Sequence, residues 1–172
     1  WRGPANLGIA GEPTQWREIN LCLLDGPGEV LIDDVSVTDT TNSQNLIQNG
    51  NFNSGMTKWR ATGTHRLTGV QAEPGVPGNQ VLRVVATGPG EYQGNQIEST
   101  FLNNTALVTG REYEISLRAR WIAGGGKLNA RLYFNRLART HDLAVSAKGG
   151  TPGQANSRAL ANIGPSITGM MH

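Results

Sequence analysis

The segment from Glu112 to Asn135 alternates between apolar and polar side chains at most positions. Alternation with period two is the pattern of a β-strand that has one face in a core and the other in solvent. Glycines at 124–126 interrupt the pattern, so the sequence predicts two strands, 112–121 and 128–135, that pair as an antiparallel hairpin. The predicted inward set is Tyr113, Ile115, Leu117, Ala119, Trp121, Leu128, Ala130, Leu132 and Phe134. A register shift by one residue would bury charged side chains instead, so this choice of face is strongly specified.

The rest of the chain is also patterned for short strands that are joined by turns. It contains 23 glycines, and only 16% of its residues are charged. Such a composition is typical of folds with many tight turns, and no stretch shows a convincing helical period. The sequence therefore predicts an all-β fold, an antiparallel β-sandwich.

The chain divides into three regions by pattern. Residues 1–43 contain a predicted hairpin, residues 44–145 contain the strands of a sandwich, and residues 146–172 are rich in glycine and small polar residues, as in a linker or tail. Two arrangements remain open: the hairpin completes the sandwich that follows it, or the chain holds parts of two modules. In the first arrangement, the hairpin packs into the sandwich through Ile19, Leu21, Leu23, Ile32 and Val35. We expect the chain to be a piece of a longer polypeptide.

Charge and hydropathy exclude two classes of partner. The 15 basic and 13 acidic residues give a net charge of +2, and no run of lysine or arginine could follow a phosphate backbone, so nucleic acid is not expected. No apolar stretch reaches the roughly 18 residues that a membrane span needs. The single cysteine, Cys22, lies in an apolar run and is predicted to be buried and unreactive.

Three segments resemble parts of a known fold. Residues 30–37 (VLIDDVSV) resemble the closing strand, and residues 45–55 (NLIQNGNFNSG) with Trp59 resemble the opening strand, of a carbohydrate-binding-module or galactose-binding-like β-jelly roll; residues 113–120 resemble a later strand of it. Such domains occur in bacterial multidomain surface or secreted proteins. The resemblance implies a jelly roll, an extracellular or cell-surface location, and Trp59 and Trp121 in the core.

The resemblance also implies a ligand face, on which aromatic rings and planar polar groups bind sugar rings and hydroxyls. The outward side chains of the predicted 112–135 hairpin supply such groups, and a loop tyrosine adds an aromatic surface. The candidate ligand residues are Arg118, Arg120, Asn129, Arg131, Tyr133, Asn135 and Tyr92. The alternative is a solvated polar face that is held by cross-strand ion pairs.

A structural calcium ion is a further implication of the resemblance, at the place where the opening turn meets the closing strand. Asp33 and Asp34 are the candidate ligands on the strand, and Asn49 and Asn51 are those on the turn. The two asparagines stand where an acidic residue is often found, which predicts a weaker site. The alternative is that Asp33 or Asp34 accepts hydrogen bonds from backbone amides at a bulge.

We expect a non-catalytic carbohydrate-binding or adhesive module that binds a polysaccharide or other glycan. His65, His141 and His172 do not share the spacing of metal ligands, and the sequence has no Gly-x-Ser-x-Gly motif and no phosphate-binding glycine loop. The sequence therefore does not predict an enzyme. Two alternatives remain: a structural module that packs against neighbouring modules or copies of itself in a surface fibre or layer, and an accessory domain of a glycoside hydrolase.

Overall fold

The computed structural model describes residues 11–14, 16–90, 94–125 and 127–132 in full, and the backbone of three further strands. Twelve strands are found in this part of the chain: β1 Glu18–Leu23, β2 Gly28–Asp39, β3 Gln44–Asn45, β4 Trp59–Ala61, β5 Gly69–Ala72, β6 Gln80–Ala86, β7 Ile97–Thr100, β8 Glu112–Gly124, β9 Lys127–Arg131, β10 His141–Ala144, β11 Gly153–Ala161 and β12 Pro165–Met170. Two single turns of 3₁₀ helix, Gly63–His65 and Leu102–Asn104, complete the described elements.

The strands form two antiparallel sheets. The first sheet has the order β10-β9-β1-β7-β4, and the second has the order β12-β11-β8-β2-β6-β5, with β3 paired to β2. This arrangement confirms the predicted all-β antiparallel sandwich, and it is consistent with a jelly roll. In the part of the chain that the structure describes, no helix is long and apolar enough to cross a membrane.

One hydrophobic core lies between the sheets, and the N-terminal strands β1 and β2 contribute to it. Ile19, Leu21 and Leu23 of β1 belong to the same buried cluster as Ile32 and Val35 of β2. The cluster also contains Phe52, Trp59, Leu82, Ile97, Phe101, Leu117, Trp121 and Leu132. The N-terminal strands thus pack into the sandwich formed by the strands that follow, and the two tryptophans lie in the core as expected.

The predicted hairpin between 112–121 and 128–135 is wrong, although the described members of its inward set face the core; Phe134 lies outside the described residues. Strand β8 lies in the second sheet between β2 and β11, whereas β9 lies in the first sheet between β1 and β10. The N-terminal runs differ from the expected hairpin in the same way, because β1 and β2 lie in opposite sheets. Side-chain alternation specifies which residues face the core, but it does not specify which strand provides the hydrogen bonds.

The two glycine-rich connections cross the sandwich instead of reversing within one sheet, and they pack against each other. The Gly125 N–H donates to the Pro27 carbonyl oxygen at 3.0 Å. A Cβ atom on Gly124 would collide with that same oxygen, and Gly124 has a φ of 83°. Only glycine fits both the backbone conformation and the close approach at this position.

The region 146–172 differs from the expected linker or tail, because it contains β11 and β12. Strand β11 pairs with β8 from Gly153↔Ala119 to Leu160↔Glu112, and β12 pairs with β11. The apolar alternation that signals a strand is missing here. Backbone N–H and C=O groups can nevertheless extend a sheet at its edge when the added strand has no apolar alternation.

Candidate functional site

The residues predicted to bind a ligand do not lie on one face. Arg118 and Arg120 belong to β8 and alternate with core residues, so they lie on the outer side of the second sheet. Asn129 and Arg131 belong to β9 and lie on the outer side of the first sheet. The sandwich therefore separates the two arginines of β8 from the β9 pair. Tyr92, Tyr133 and Asn135 lie outside the described residues.

The outer side of the first sheet carries a row of polar side chains that crosses four strands. The register places Arg60 of β4 opposite Glu98 of β7, Glu98 opposite Asn20 of β1, and Asn20 opposite Arg131 of β9. Their strand neighbours, such as Ile19 and Leu21, point into the core. We call this row, with the adjacent outward residues, the first-sheet face: Glu18, Asn20, Cys22, Arg60, Glu98, Thr100, Asn129 and Arg131.

Asn20 is the central residue of this row, and it is 2% exposed. Neither its Nδ2 nor its Oδ1 atom has a hydrogen-bond partner in the described part of the chain. A buried polar group without a partner costs about 1–3 kcal/mol. The next row along the sheet has such partners, because Asn129 Oδ1 accepts a hydrogen bond of 2.7 Å from Arg131 Nε. Asn20, at the middle of the face, can therefore still both donate and accept hydrogen bonds.

A pair of carboxylates borders Asn20, and one arginine bridges them. Arg60 Nε donates to Glu98 Oε1 at 2.7 Å, and Arg60 Nη2 lies 3.6 Å from Glu18 Oε2. Burial raises the pKa of Glu18, and the charge of Glu98 raises it further. Arg60 and the nearby Asn20 amide oppose this shift, although the amide is outside hydrogen-bonding geometry. The side chains of Arg60, Glu18 and Glu98 are 49%, 31% and 19% exposed, so this corner is accessible to solvent.

Cys22 is buried, as predicted, but it lies on the first-sheet face and not in the core. Its sulfur is 3.9 Å from both Asn129 Oδ1 and Arg131 Nη2. A thiol is a weak hydrogen-bonding group, so these contacts add little to the fold. They nevertheless place the sulfur against two polar side chains of the face.

The outer side of the second sheet is occupied by an ion-pair cluster. Arg118 donates from Nε to Asp34 Oδ2 at 2.6 Å, and its Nη2 pairs with Asp33 and, at 3.5 Å, with Glu73. Asn79 Nδ2 donates to Asp33 at 2.8 Å and to Glu73 at 2.6 Å. Since Asp33 and Glu73 are 3% and 6% exposed, Arg118 is committed to neutralising buried carboxylates. Arg118 thus forms cross-strand ion pairs, as in the alternative, but two of its partners, Asp33 and Glu73, are buried instead of solvated.

The four candidate calcium ligands do not converge. The opening turn does meet β2, because the Val35 N–H donates to the Gly50 carbonyl oxygen at 3.0 Å. However, the carboxylates of Asp33 and Asp34 are directed to Arg118, and the Asp34 N–H donates to Asp33 Oδ1 at 2.8 Å beside a register shift in β2. This bond confirms the alternative of a carboxylate at a bulge.

The asparagines of the opening turn are also engaged locally. Asn49 bonds within its own turn, and Asn51 Oδ1 accepts the Asn53 N–H at 3.3 Å. Among the residues that the structure describes, no three His, Cys, Asp or Glu side chains are grouped to hold a metal ion. The donor set at this place therefore does not fit calcium, which prefers several converging oxygens.

His65 is the one histidine whose surroundings the structure describes, and its role is structural. Its side chain is 0% exposed, and Nε2 accepts the Leu23 N–H at 2.9 Å. Burial lowers the pKa of His65 to about 4, so the ring is neutral at neutral pH. An uncharged ring that holds the end of β1 gives no indication of catalysis.

Sequence reasoning missed Glu18, Asn20, Arg60 and Glu98. The phase of Glu18 and Asn20, opposite to Ile19 and Leu21, is readable in the sequence and indicates an outward position. The contributions of β4 and β7 are not readable, because their positions on the same side of β1 depend on the order of strands in the sheet. That order arises from long-range pairing, which local patterns do not encode.

Comparison with models of known protein families gives a match. The family model described as "Carbohydrate binding domain" matches residues 44–141, which is more than half of the 172 residues. The match begins at β3 and ends in β10, so it leaves out β1 and β2. No curated protein and no solved structure matches the chain.

Proposed function

Because the chain belongs to the carbohydrate binding domain family, we propose that it binds a polysaccharide or other glycan on its first-sheet face, without cleaving it. The observation that carries this assignment is the row from Arg60 to Arg131, with the unpartnered Asn20 amide at its centre. A sugar hydroxyl donates one hydrogen bond and accepts others, so it can satisfy an amide oxygen and an amide nitrogen together.

The chemistry of the row suits neutral sugars. When the adjacent Glu18 of the first-sheet face is included, the two guanidinium groups of Arg60 and Arg131 balance the two carboxylates of Glu18 and Glu98. Hydrogen bonds from hydroxyls to charged groups are stronger than those between neutral groups. The face therefore offers strong directional bonds without a net field that would favour an anionic or cationic polymer.

The opposite face is less suited to a ligand. Arg118 already pairs with Asp33, Asp34 and Glu73, so a sugar would have to compete with three carboxylates for one guanidinium. Such a buried network loses more when it is broken than a hydroxyl returns. This contrast supports binding at the first-sheet face.

Binding without cleavage is supported by the pairing of the two carboxylates. Glycosidases use one carboxyl group as an acid and a second one as a nucleophile or base. Here Glu98 forms a 2.7 Å ion pair with Arg60, and the same arginine lies 3.6 Å from Glu18. One arginine therefore engages both carboxylates, which leaves neither of them free to act as acid, nucleophile or base.

We place this module in a larger extracellular or cell-surface protein, where glycan binding would hold the protein on a polysaccharide. The resemblance of residues 30–37 and 45–55 to domains of such proteins supports this location. In the alternative, the module packs against copies of itself in a fibre or layer, which predicts self-association in the absence of glycan.

Titration calorimetry of the chain against plant and bacterial polysaccharides tests the proposal. We expect Asn20→Ala and Glu98→Gln each to weaken the binding of the best ligand by roughly ten-fold, since each removes a polar contact of about 1–2 kcal/mol. Arg83→Ala is the matched control, because Arg83 pairs with Glu29 on the outer side of the second sheet.

Two outcomes would contradict the assignment. Unchanged affinity in folded Asn20→Ala and Glu98→Gln variants would remove the first-sheet face as the binding site. Concentration-dependent assembly without binding to any glycan, measured by light scattering, would favour the fibre alternative.

A further inference from the structure

The opening turn, residues 49–58, is organised by a single side chain. Asn49 Nδ2 donates to the carbonyl oxygens of Gly55 at 2.9 Å and Thr57 at 2.8 Å. Asn49 Oδ1 accepts the Ser54 N–H at 3.1 Å. One neutral amide thus forms three hydrogen bonds that join both ends of the turn.

The two carbonyl oxygens converge on one atom. Main-chain carbonyls that point to a common centre are ligands of the type that calcium takes, at about 2.3–2.6 Å. Here the atom between them is a nitrogen that carries two hydrogens. Those hydrogens bond to the oxygens of Gly55 and Thr57. The amide therefore holds two carbonyl dipoles close together, as a bound small cation would.

The charge of the surroundings agrees with a neutral donor. Residues 49–58 contain no aspartate or glutamate, and they include Lys58. The strand carboxylates of the expected site, Asp33 and Asp34, are paired with Arg118. A divalent cation at this turn would therefore meet a positive side chain and no carboxylate of the turn itself.

We propose that the Asn49 amide organises the opening turn in place of a metal ion. The fold of this chain is therefore independent of calcium, and an aspartate at position 49 would make the turn dependent on calcium. This inference concerns the turn alone, and it does not depend on the proposed glycan binding.

The core reports the state of the turn. Phe52 is 0% exposed and Trp59 is 4% exposed, and their ring centroids are 5.3 Å apart. Trp59 Nε1 also donates to the Asn49 carbonyl oxygen at 3.0 Å. Loss of order in the turn should therefore lower the melting temperature and change tryptophan fluorescence, and neither measurement requires a ligand.

The first experiment compares the wild-type chain in excess chelator and in millimolar calcium. We expect the melting temperature to be the same in both, and no calcium uptake in titration calorimetry. A melting temperature that falls with chelator and recovers with calcium would overturn the proposal.

The second experiment uses Asn49→Asp. In chelator this variant should melt several degrees below the wild type, because a carboxylate oxygen faces two carbonyl oxygens and two donated hydrogen bonds are lost. Calcium should raise its melting temperature, since the carboxylate and the two carbonyls then form a set of oxygen ligands.

Asn51→Asp is the matched control. It places the same charge in the same turn and keeps an oxygen for the Asn53 N–H, so calcium should not change its melting temperature. A folded Asn49→Asp variant without a calcium response, or an equal response in Asn51→Asp, would contradict the proposal. Should Asn49→Asp fail to fold in either condition, the wild-type comparison still decides between an amide and a metal ion.

Discussion

His65 links the chemistry of one side chain to the stability of the whole sandwich. Its Nε2 atom must be unprotonated to accept the Leu23 N–H. The other ring nitrogen lies 3.2 Å from Thr64 Oγ1, which completes the polar contacts of the ring among the described residues. A proton on Nε2 would remove the acceptor and leave a charge in a site that is 0% exposed.

The pKa of His65 predicts how stability depends on pH. The folded value is about 4 and the ordinary value is 6.5, so between these values the unfolded chain binds more protons than the folded chain. The contribution of the neutral His65 ring to the free energy of unfolding should thus be complete above pH 6.5. It should decrease as the pH falls towards 4, by about 3 kcal/mol at most. Urea unfolding across this range measures the effect. In His65→Gln the slope should be much smaller; an equal slope in both proteins would assign the effect to other groups.

The connections between strands determine which residues meet. The two connections, from β1 to β2 and from β8 to β9, each take the chain from one sheet to the other, and they contact each other through Gly125 and Pro27. Lys127 lies 3.9 Å from Asp25 across the same pair of turns, although this exposed ion pair contributes little. Close backbone packing, more than charge, holds the two crossings together.

A pair of glycine substitutions tests this packing. Gly124→Ala should lower the free energy of unfolding by more than Gly75→Ala, although both glycines have similar φ values of 83° and 85°. The strain of a positive φ, about 1–2 kcal/mol, is common to both variants. Only at Gly124 would the new methyl group collide with Pro27, whereas nothing lies within 4 Å of a Cβ at Gly75. Chemical denaturation measures both; equal losses would show that the crossing tolerates a side chain.

Local patterns predict the faces of the strands better than their partners. The alternation correctly predicts the burial of Tyr113, Ile115 and Leu117, because the sequence of a strand determines which of its two faces is apolar. Arg118 and Arg131 have the same outward phase, yet they lie on opposite sides of the molecule. Their separation depends on a chain crossing at Gly124, and a glycine turn is equally compatible with a hairpin. The candidate site was therefore only partly predictable.

At the scale of the whole molecule, the matched family region and the folded unit have different limits. The family match covers residues 44–141, but β1 lies between β7 and β9 and β2 lies between β8 and β6. Both N-terminal strands are thus central in their sheets, and they supply Leu21, Leu23 and Val30 to the core. Without them each sheet would split into two parts with unpaired edges.

Removal of residues 1–43 should therefore prevent folding. The remaining chain, 44–172, would expose the edges of β7, β9, β6 and β8 and lose the core side chains of two central strands. We expect the shortened chain to show no cooperative unfolding transition in near-ultraviolet circular dichroism, whereas the full chain should show one. A cooperative transition in the shortened chain would show that the matched region is sufficient.

The Asn49 turn has a consequence for how the protein ages. Asn49-Gly50 is the single Asn-Gly pair in the sequence, and this pair is the most prone to deamidation, in which the glycine nitrogen attacks the asparagine side-chain carbon and ammonia leaves. In the folded turn the leaving nitrogen is held by two carbonyls, and Gly50 is pressed against the Val35 carbonyl, so the ring that the reaction needs cannot close easily. Chemical damage should thus accumulate only in molecules whose turn has opened, and the deamidated fraction of a stored sample becomes a record of how often it opens.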